Sequence, residues 1–474
     1  MSIHTPTTRQ FKTNATAAMA DANIQHAMRS TGTGFVGKRA SARAALPEFD
    51  ALRDAARDMK NHVLSHLDLY LAQYEAKVVE NGGHVHWAET AQDAREIVLD
   101  ICRKAQTKQV NKGKTMISEE IGLNEYLEAN GIRPHETDLG EYIIQLRGET
   151  PSHIIAPAIH VTVPEIDKLF RETHTHLDPN RDLSDLATML AEARAVLRAK
   201  YFDAQVGVTG ANMLIVETGQ SVIVTNEGNG DLSQSIPKVH IVLASLEKIV
   251  PTLDDAATVL RVLARSATGQ EMAVYNTFSS GPRRPEDPDG PEEYHVILLD
   301  NGRTGMLGTH FQDMLRCIRC GACMNHCPVY QAVGGHAYGW VYPGPMGAVL
   351  TPSLIGVEEG GQLPNASTFC GRCEEVCPMR IPLPGMMRHW REREFERHLY
   401  PKTVRWGLKG WALFAERPAL YRLATRIAVA GMSLFGRKRG KFTSLPLAGG
   451  WTKWRDFPAP QGGTFMQQIK ARGR

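Results

Sequence analysis

The chain has 474 residues, 42% hydrophobic and 22% charged, so it is too long for one ordinary domain and typical of a soluble globular protein. The net charge of +3 hides an uneven distribution, because residues 380–474 contain 20 Lys and Arg against 5 Asp and Glu. The N-terminal residues contain no apolar segment of a secretory signal, and the apolar run 427–435 is far shorter than the ~20 residues that span a bilayer. We therefore expect a cytosolic protein of two or three domains, in which eight cysteines indicate metal binding and not disulfides.

The predicted elements begin with an arm and a helix. Residues 1–48 are polar, small and mildly basic, which predicts a flexible arm. Apolar residues then recur at helical spacing over 49–79, which predicts one long amphipathic helix. Farther along, short apolar runs predict strands at 84–87, 109–110, 154–156, 204–208, 214–216, 222–225, 239–243, 273–278 and 295–298. Helical patterns fall between them at 91–104, 118–130, 163–170, 183–199 and 253–264. This alternation favours an α/β domain over residues 49–303, with helices covering a sheet.

A glycine-rich stretch, 209–232 (TGANMLIVETGQSVIVTNEGNGDL), lies inside this α/β region. Two β-like runs flank the turn 218–220, and the loop 226–230 follows them. Backbone N–H groups of such a loop can bind an anion, but the same residues also suit a tight turn without a ligand. The residues leave both alternatives open. Motifs for a nicotinamide or nucleoside triphosphate site are missing from the sequence.

Two further features of this region are expected to be structural. His174 and His176 stand near Glu172 and Asp178, but the spacing matches no metal site, so we expect core or solvated histidines. Cys102 stands alone in a helical pattern, which predicts a buried small hydrophobic residue.

A cysteine-rich module follows at 304–385, and its first block has the spacing C-x2-C-x2-C-x3-C-P of bacterial-type ferredoxins. The block contains Cys317, Cys320, Cys323, Cys327 and Pro328. Thiolates at this spacing suit iron, because the iron of such clusters bonds soft sulfur. Zinc or buried thiols are the alternative, which four cysteines followed by proline disfavour.

The second block has only three cysteines, Cys370, Cys373 and Cys377, followed by Pro378. In two-cluster ferredoxins the cysteine before proline ligates the cluster of the other block. We therefore assign the first [4Fe–4S] cluster to Cys317, Cys320, Cys323 and Cys377, and the second cluster to Cys327, Cys370 and Cys373. The second cluster is then one cysteine short. It is either a [3Fe–4S] centre or a [4Fe–4S] centre whose last iron takes another residue, a partner's side chain or a small ligand.

The C-terminal region, 386–474, is predicted to be helical and basic. It holds five of the seven tryptophans and most of the excess positive charge. An apolar helix face with basic flanks suits a membrane surface, an acidic partner, or a cover packed on the chain's own ferredoxin-like module.

The chain resembles the B-type iron–sulfur protein family of the three-component bacterial L-lactate utilisation system. The resemblance covers nearly the whole chain. Besides both cysteine blocks, it rests on residues 112–125 (KGKTMISEEIGLNE), 137–146 (TDLGEYIIQL), 151–160 (PSHIIAPAIH) and 209–232.

The resemblance implies a lactate-utilisation-type domain from about residue 52 to 300, similar in fold to coenzyme A transferase and sugar-phosphate isomerase domains. It also implies two partner subunits, a second protein with the same α/β domain and a cysteine-rich protein of the heterodisulfide-reductase type, in a system that oxidises L-lactate to pyruvate. No nucleic acid is expected as a partner. The family pattern has the same short second cysteine block, and it supplies no lactate-binding residue.

Three functions are compatible with these features. The first is an electron-transfer subunit of a lactate-oxidising complex, cytoplasmic and with a peripheral membrane contact as an option. The second is a self-sufficient 2-hydroxy-acid oxidoreductase whose α/β domain binds the substrate. The third is a scaffold with structural clusters. The lack of a flavin or nicotinamide motif favours the first.

Overall fold

The computed structural model describes residues 5–436, 438–446, 448–452, 455–460 and 462–473. The chain divides into two compact units, Met1–Glu394 and Phe395–Arg474.

The helices of the first unit run in chain order as α1 Phe11–Ala20, α2 Ala22–Ala44, α3 Phe49–Ser65, α4 Leu67–Glu80, α5 Ala91–Lys104, α6 Met116–Glu120, α7 Leu123–Ala129, α8 Leu139–Arg147, α9 Val163–Thr173, α10 Leu186–Asp203, α11 Asn229–Ser235, α12 Leu253–Ala267, α13 Ala322–Asn325, α14 Pro328–Val333, α15 Gly344–Ile355, α16 Val357–Gly360, α17 Arg372–Glu375 and α18 Leu383–Glu396, the last of which crosses the boundary. Short 3-10 helices include Leu246–Lys248, Gln312–Arg316 and His336–Tyr338. The strands are β1 His84–Ala88, β2 Gln109–Lys112, β3 Arg133–Glu136, β4 Val206–Thr209, β5 Met213–Ile215, β6 Gln220–Thr225, β7 Val239–Ser245, β8 Ile249–Val250, β9 Tyr275–Ser279 and β10 Glu293–Leu299.

A parallel sheet with the strand order β1-β10-β7-β4-β2-β3 forms the centre of the first unit. Every residue of β7 is buried, as expected for a parallel strand covered on both faces. β2 and β4 are neighbours in this sheet. The next strand of the sheet after β2 is β3, on one side of the pair, and the next after β4 is β7, on the other side. Such a switch point opens a crevice at the carboxyl ends of the two strands, where ligands of open α/β sheets bind.

A smaller sheet with the order β8-β5-β6-β9 stands beside this edge. Its β5–β6 pair is antiparallel and turns at Gly219, whose φ of 68° suits glycine. The prediction of a mixed α/β N-terminal region is confirmed. The helix predicted at 91–104 has the same bounds as α5, which begins at a capping box of Thr90 and Asp93.

The flexible arm predicted at 1–48 is wrong for residues 11–44, which form helices α1 and α2. Small buried residues such as Ala15 and Ala18 let these helices pack closely. The Phe11 ring lies 5.2 Å from the Tyr338 ring, and Gln25 Nε2 donates to the Ala332 carbonyl over 2.9 Å. These contacts fix the N-terminal helices to the cysteine-rich module.

The single helix predicted over 49–79 is also wrong, because the chain breaks at His66 between α3 and α4. Phe49 and Leu64 of α3 belong to the core cluster that contains the cysteines. Leu71 and Tyr74 of α4 belong to the core beside the parallel sheet. The break lets consecutive helices bury their apolar faces in different cores.

The strand predicted at 154–156 is a turn in the structure. The backbone N–H groups of Ile155 and Ala156 donate to His153 Nδ1, at 3.0 and 3.1 Å, and not to a neighbouring strand. The 118–130 pattern is split by Gly122 into α6 and α7. Sequence patterns missed β3, β8, α8 and α11.

The second unit contains α19 Lys402–Ala415, α20 Pro418–Gly436, α21 Gly449–Thr452 and α22 Phe465–Ala471, and the antiparallel pair β11 Lys441–Phe442 and β12 Phe457–Pro458. Its helices expose much of their apolar surface: Trp406 is 72% exposed, Leu434 78% and Phe435 81%. Within the described part of the chain, no helix combines the length and apolarity that crossing a membrane requires.

Candidate metal centre

The first cysteine block is a tight loop that ends in two short helices. Arg319 has a φ of 58° and Gly321 a φ of 70°, which turn the chain into α13. A Cβ on Gly321 would lie 3.2 Å from His153 Cε1, so glycine also allows this turn to pack closely. Pro328 then begins α14 at the position where a helix needs no N–H donor.

Four thiols meet around one small cavity, those of Cys317, Cys320, Cys323 and Cys377. Apolar residues complete its wall, among them Met314, Met346, Ile381 and Leu383. The set therefore joins three cysteines of the first block to the last cysteine of the second.

The other three cysteines form a second group. Burial, with a contribution from the nearby Cys327 and Cys370, raises the pKa of Cys373 to about 12. Cys370 is exposed, whereas Cys327 and Cys373 are buried. The grouping matches the ligand sets predicted from the motif. In that crossed assignment, Cys377 and Cys327 each ligate the cluster of the other block, and it stays a prediction.

The donor set fits iron–sulfur clusters. All eight cysteines are free thiols. Burial, with a contribution from the neighbouring Cys377, raises the pKa of Cys320 to about 12, so without a metal this buried thiol stays protonated. Metal binding would displace these protons, as thiolate ligation requires. Cys102 lies apart in the sheet core, and the prediction of a buried hydrophobic residue is confirmed.

Two buried arginines, Arg39 of α2 and Arg53 of α3, hold the second cysteine block. Arg53 donates to the Cys377 carbonyl from Nε over 3.1 Å and from Nη2 over 2.7 Å, and to the Glu375 carbonyl over 2.8 Å. Arg39 Nη2 donates to the Val376 carbonyl over 2.8 Å. Sequence reasoning missed both residues. The available signal was Arg53 itself, a charged residue on the apolar stripe of α3.

A buried ion network connects the first block to the α/β domain. Arg303 donates to both carboxylate oxygens of Glu120, at 2.9 and 2.6 Å, and contacts Glu247 at 3.2 Å. Glu247 also lies 3.5 Å from Arg319, whose guanidinium stacks on the Tyr342 ring. Burial raises the pKa of Glu120, but the attraction of Arg303 and the hydrogen bonds to Glu120 outweigh burial and leave this pKa below its ordinary value. The network holds Arg319 in place.

A cavity of about 220 Å³ opens at the carboxyl ends of β2 and β4. The loops after these strands approach closely, because a Cβ on Gly210 would lie only 2.9 Å from Thr115. Positive charge lines the cavity through Lys114, Lys248 and Arg319, and negative charge through Asp138 and Glu227. Arg319 and Ile154 also line the thiol cavity, so the two cavities share a wall.

Several polar groups in this cavity lack partners among the described residues. Arg319 Nη1, Thr225 Oγ1 and Asn229 Nδ2 are buried without a hydrogen bond. The loop 226–230, whose sequence suits either anion binding or a plain turn, forms part of the wall through Asn226, Glu227 and Asn229. A bound polar molecule would satisfy such groups.

The histidines are placed as predicted for core and solvated residues. His174 is buried, with Nδ1 2.6 Å from Glu192 Oε1 and Nε2 2.8 Å from the Tyr142 hydroxyl. His176 is exposed.

A polar cluster that the sequence did not indicate joins Glu149, His160 and His336, whose ligand atoms lie within 4.8 Å of one another. His160 contacts Glu149 at 2.9 Å, and His336 Nε2 lies 2.7 Å from the Thr150 carbonyl. Because protein groups already partner these side chains, the cluster serves as a polar bridge between the α/β domain and the cysteine module.

Comparison with known proteins agrees with this architecture. Residues 71–299 match the LUD domain, 313–381 the 4Fe-4S dicluster domain, and 386–474 the C-terminal domain of lactate utilisation protein B. The second match identifies the cysteine-rich module as an iron–sulfur module. A crystal structure of a DUF162 family protein from Deinococcus radiodurans aligns with a TM-score of 0.26 and 17% identity, over 49% of this chain and 98% of that one. A TM-score this low does not establish a shared fold, and the expected likeness to coenzyme A transferase domains stays a prediction.

Full-length relatives are similar along the whole chain. Lactate utilization protein B of Bacillus licheniformis is 40% identical over 468 residues, covering 98% of this chain and 97% of the relative. Lactate utilization protein B of Macrococcus caseolyticus is 41% identical over 466 residues, with the same coverage. The chain therefore belongs to the lactate utilization protein B family.

Proposed function

We propose that this chain is the iron–sulfur electron-transfer subunit of a multi-component system that oxidises L-lactate to pyruvate. The observation that carries the proposal is the arrangement of the thiols in one module. One set, buried except for half-buried Cys317, lies beside the cavity of the α/β domain, and the other reaches the surface at Cys370.

The residues of the chain suit this role. When bound, the clusters supply one-electron redox chemistry. Oxidation of lactate to pyruvate releases two electrons and two protons, so a subunit with two centres matches the electron count. Met314, Met346 and Leu383 keep water from the first set of thiols. Exposed Cys370 lies where another protein can approach the second set.

The proposal includes two partner subunits, a cysteine-rich protein of the heterodisulfide-reductase type and a second lactate-utilisation-domain protein. The second unit supports partner docking, because α19 has no buried residue and exposes Trp406 and Trp411. Residues 380–474 carry a surplus of 15 positive charges, which favours an acidic partner. A peripheral contact with anionic lipid would use the same charges and is tested below.

The experiment is lactate-dependent reduction of the clusters, followed by visible absorbance and paramagnetic resonance. The protein is purified anaerobically and mixed with L-lactate, alone and with the two partner subunits. We expect reduction only with the partners. Reduction of the isolated protein would favour a self-sufficient oxidoreductase, and clusters that stay oxidised in the complete system would favour a scaffold.

The cavity beside the first thiol set supports a second candidate function. In it, the chain is a 2-hydroxy-acid oxidoreductase with its substrate site in the α/β domain. The cavity is smaller than the roughly 300–1,000 Å³ of pockets for drug-sized ligands, so it suits a small molecule. Lys248 and Arg319 can attract a carboxylate, and Glu227 can accept a hydrogen bond from a hydroxyl group.

Calorimetric titration with L-lactate tests this candidate. Wild-type protein should bind, and Lys248→Met should weaken binding at least about tenfold, the effect of one charge-assisted hydrogen bond of ~1.5 kcal/mol. The control is Lys238→Met, an exposed lysine at the start of β7. Wild-type protein that does not bind L-lactate without partners would rule this candidate out.

A further inference from the structure

The two cysteine blocks are a backbone repeat with an offset of 50 residues. Cys320, Cys323 and Cys327 of the first block correspond to Cys370, Cys373 and Cys377 of the second. Each block turns through the same left-handed positions: Arg319 and Phe369 have φ values of 58° and 54°, and Gly321 and Gly371 have 70° and 80°. A short helix of four residues follows each glycine, α13 and α17.

Backbone hydrogen bonds repeat with the same offset. The N–H of Met324 donates to the Gly321 carbonyl over 2.9 Å, and the N–H of Glu374 to the Gly371 carbonyl over 3.1 Å. The hydrogen bonds that close the two loops also correspond. The N–H of Cys327 donates to the Met324 carbonyl over 3.0 Å, and the N–H of Cys377 donates to the Glu374 carbonyl over 3.2 Å. The backbones of residues 319–327 and 369–377 therefore follow the same path.

This equivalence identifies the residue in the place of the missing cysteine. The counterpart of Cys317 is 50 residues later, at Ser367. Ser367 is half-buried and precedes Cys370 by three residues, as Cys317 precedes Cys320. Its Oγ accepts the N–H of Phe369 at 3.1 Å and donates to no acceptor among the described residues. A hydroxyl group with a free proton thus stands where the first block has a thiolate.

We propose that Ser367 Oγ is the fourth ligand of the cluster held by Cys327, Cys370 and Cys373. Ligation replaces the O–H bond by an iron–oxygen bond, and the proton goes to solvent, which reaches this corner beside exposed Cys370. The second cluster is then a [4Fe–4S] centre with three thiolates and one oxygen ligand. The proposal rests on the two-cluster assignment and not on lactate as the substrate.

Iron content and paramagnetic resonance of the anaerobically purified full-length protein test the proposal. Wild-type protein should contain about eight irons per chain. Ser367→Ala should lose about one of the eight irons and show a [3Fe–4S] signal in the oxidised state. The control is Ser353→Ala, a half-buried serine of α15 whose hydroxyl donates to the Val349 carbonyl, and it should match wild type.

Substitution by cysteine provides a second test. Ser367→Cys should keep about eight irons and change both the resonance and the midpoint potential of the second cluster, because a thiolate replaces the oxygen. If Ser367→Ala does not fold, the iron content and resonance of Ser367→Cys decide whether Ser367 is the fourth ligand. The proposal is overturned by wild-type protein with about seven irons and a [3Fe–4S] signal, by a Ser367→Ala protein identical to wild type, or by a Ser367→Cys protein with an unchanged second cluster.

Discussion

Replacing Arg53 by methionine tests how helix α3 anchors the second cysteine block. Arg53 is buried and makes three hydrogen bonds to the carbonyls of Glu375 and Cys377. Its remaining partner is Asp50, at 2.7 Å, which is half exposed. Methionine keeps most of the apolar stem and removes every donor.

The expected loss is about 3–4 kcal/mol. A hydrogen bond from a charged donor contributes ~1.5–3 kcal/mol, and we take the lower value for each of the two carbonyl groups that lose their charged donor. The pair with Asp50 adds at most ~1 kcal/mol, because solvent screens it. At 1.4 kcal/mol for each factor of ten, the open form of this segment should become about 10²–10³ times more populated.

Release of iron to a chelator under anaerobic conditions measures this opening, because Cys377 is the predicted ligand from this segment to the first cluster. We expect Arg53→Met to release iron about a hundredfold faster than wild type. The control is Arg57→Met, one turn later on α3, whose half-exposed side chain pairs with Asp54 and Asp58. If both variants release iron within threefold of each other, the carbonyl contacts do not hold the block and the reasoning fails.

Three further predictions concern the ligands, the pH dependence and the C-terminal region. Cys377→Ser should damage the first cluster and Cys327→Ser the second, and paramagnetic resonance showing losses that follow sequence neighbourhood would contradict the crossed assignment. Burial lowers the pKa of Lys60 from 10.5 to about 7, so the folded state loses a proton that the unfolded chain retains. Stability should therefore rise between about pH 7 and 10.5, by up to ~1.4 kcal/mol per pH unit, and denaturation curves of Lys60→Met should lack this rise. Deletion of residues 402–474 should weaken binding to the partner subunits more than binding to anionic vesicles; loss of vesicle binding alone would identify a membrane contact, and loss of iron a structural role.

Residue types and spacing were enough to predict an iron–sulfur module, because the loop that binds a cluster is local in sequence. Cysteines three and four residues apart can be recognised without any knowledge of the fold. Ser367 was within reach of the same reasoning, since aligning the two blocks places it opposite Cys317. Comparing only the cysteines hid this correspondence.

Contacts between distant segments could not be predicted in this way. Arg53 meets Cys377 across more than 300 residues, and no periodicity indicates such a pair. The polar sequence of residues 1–48, rich in small residues, predicts a flexible arm, and only packing against Tyr338 and Ala332 explains the order of α1 and α2. The cavity likewise depends on strand order, which places the ends of β2 and β4 side by side.

Arg319 stands in the wall between the thiol cavity and the cavity at the sheet edge. A single guanidinium charge therefore acts on both sides of that wall. An anion that enters the sheet-edge cavity offsets part of this charge, which makes addition of an electron to the first centre less favourable. By thermodynamic reciprocity, adding an electron to the centre weakens binding of the anion by the same factor. The midpoint potential of the first centre thus becomes a measure of cavity occupancy, and a dicarboxylate should shift it more than a monocarboxylate of the same length.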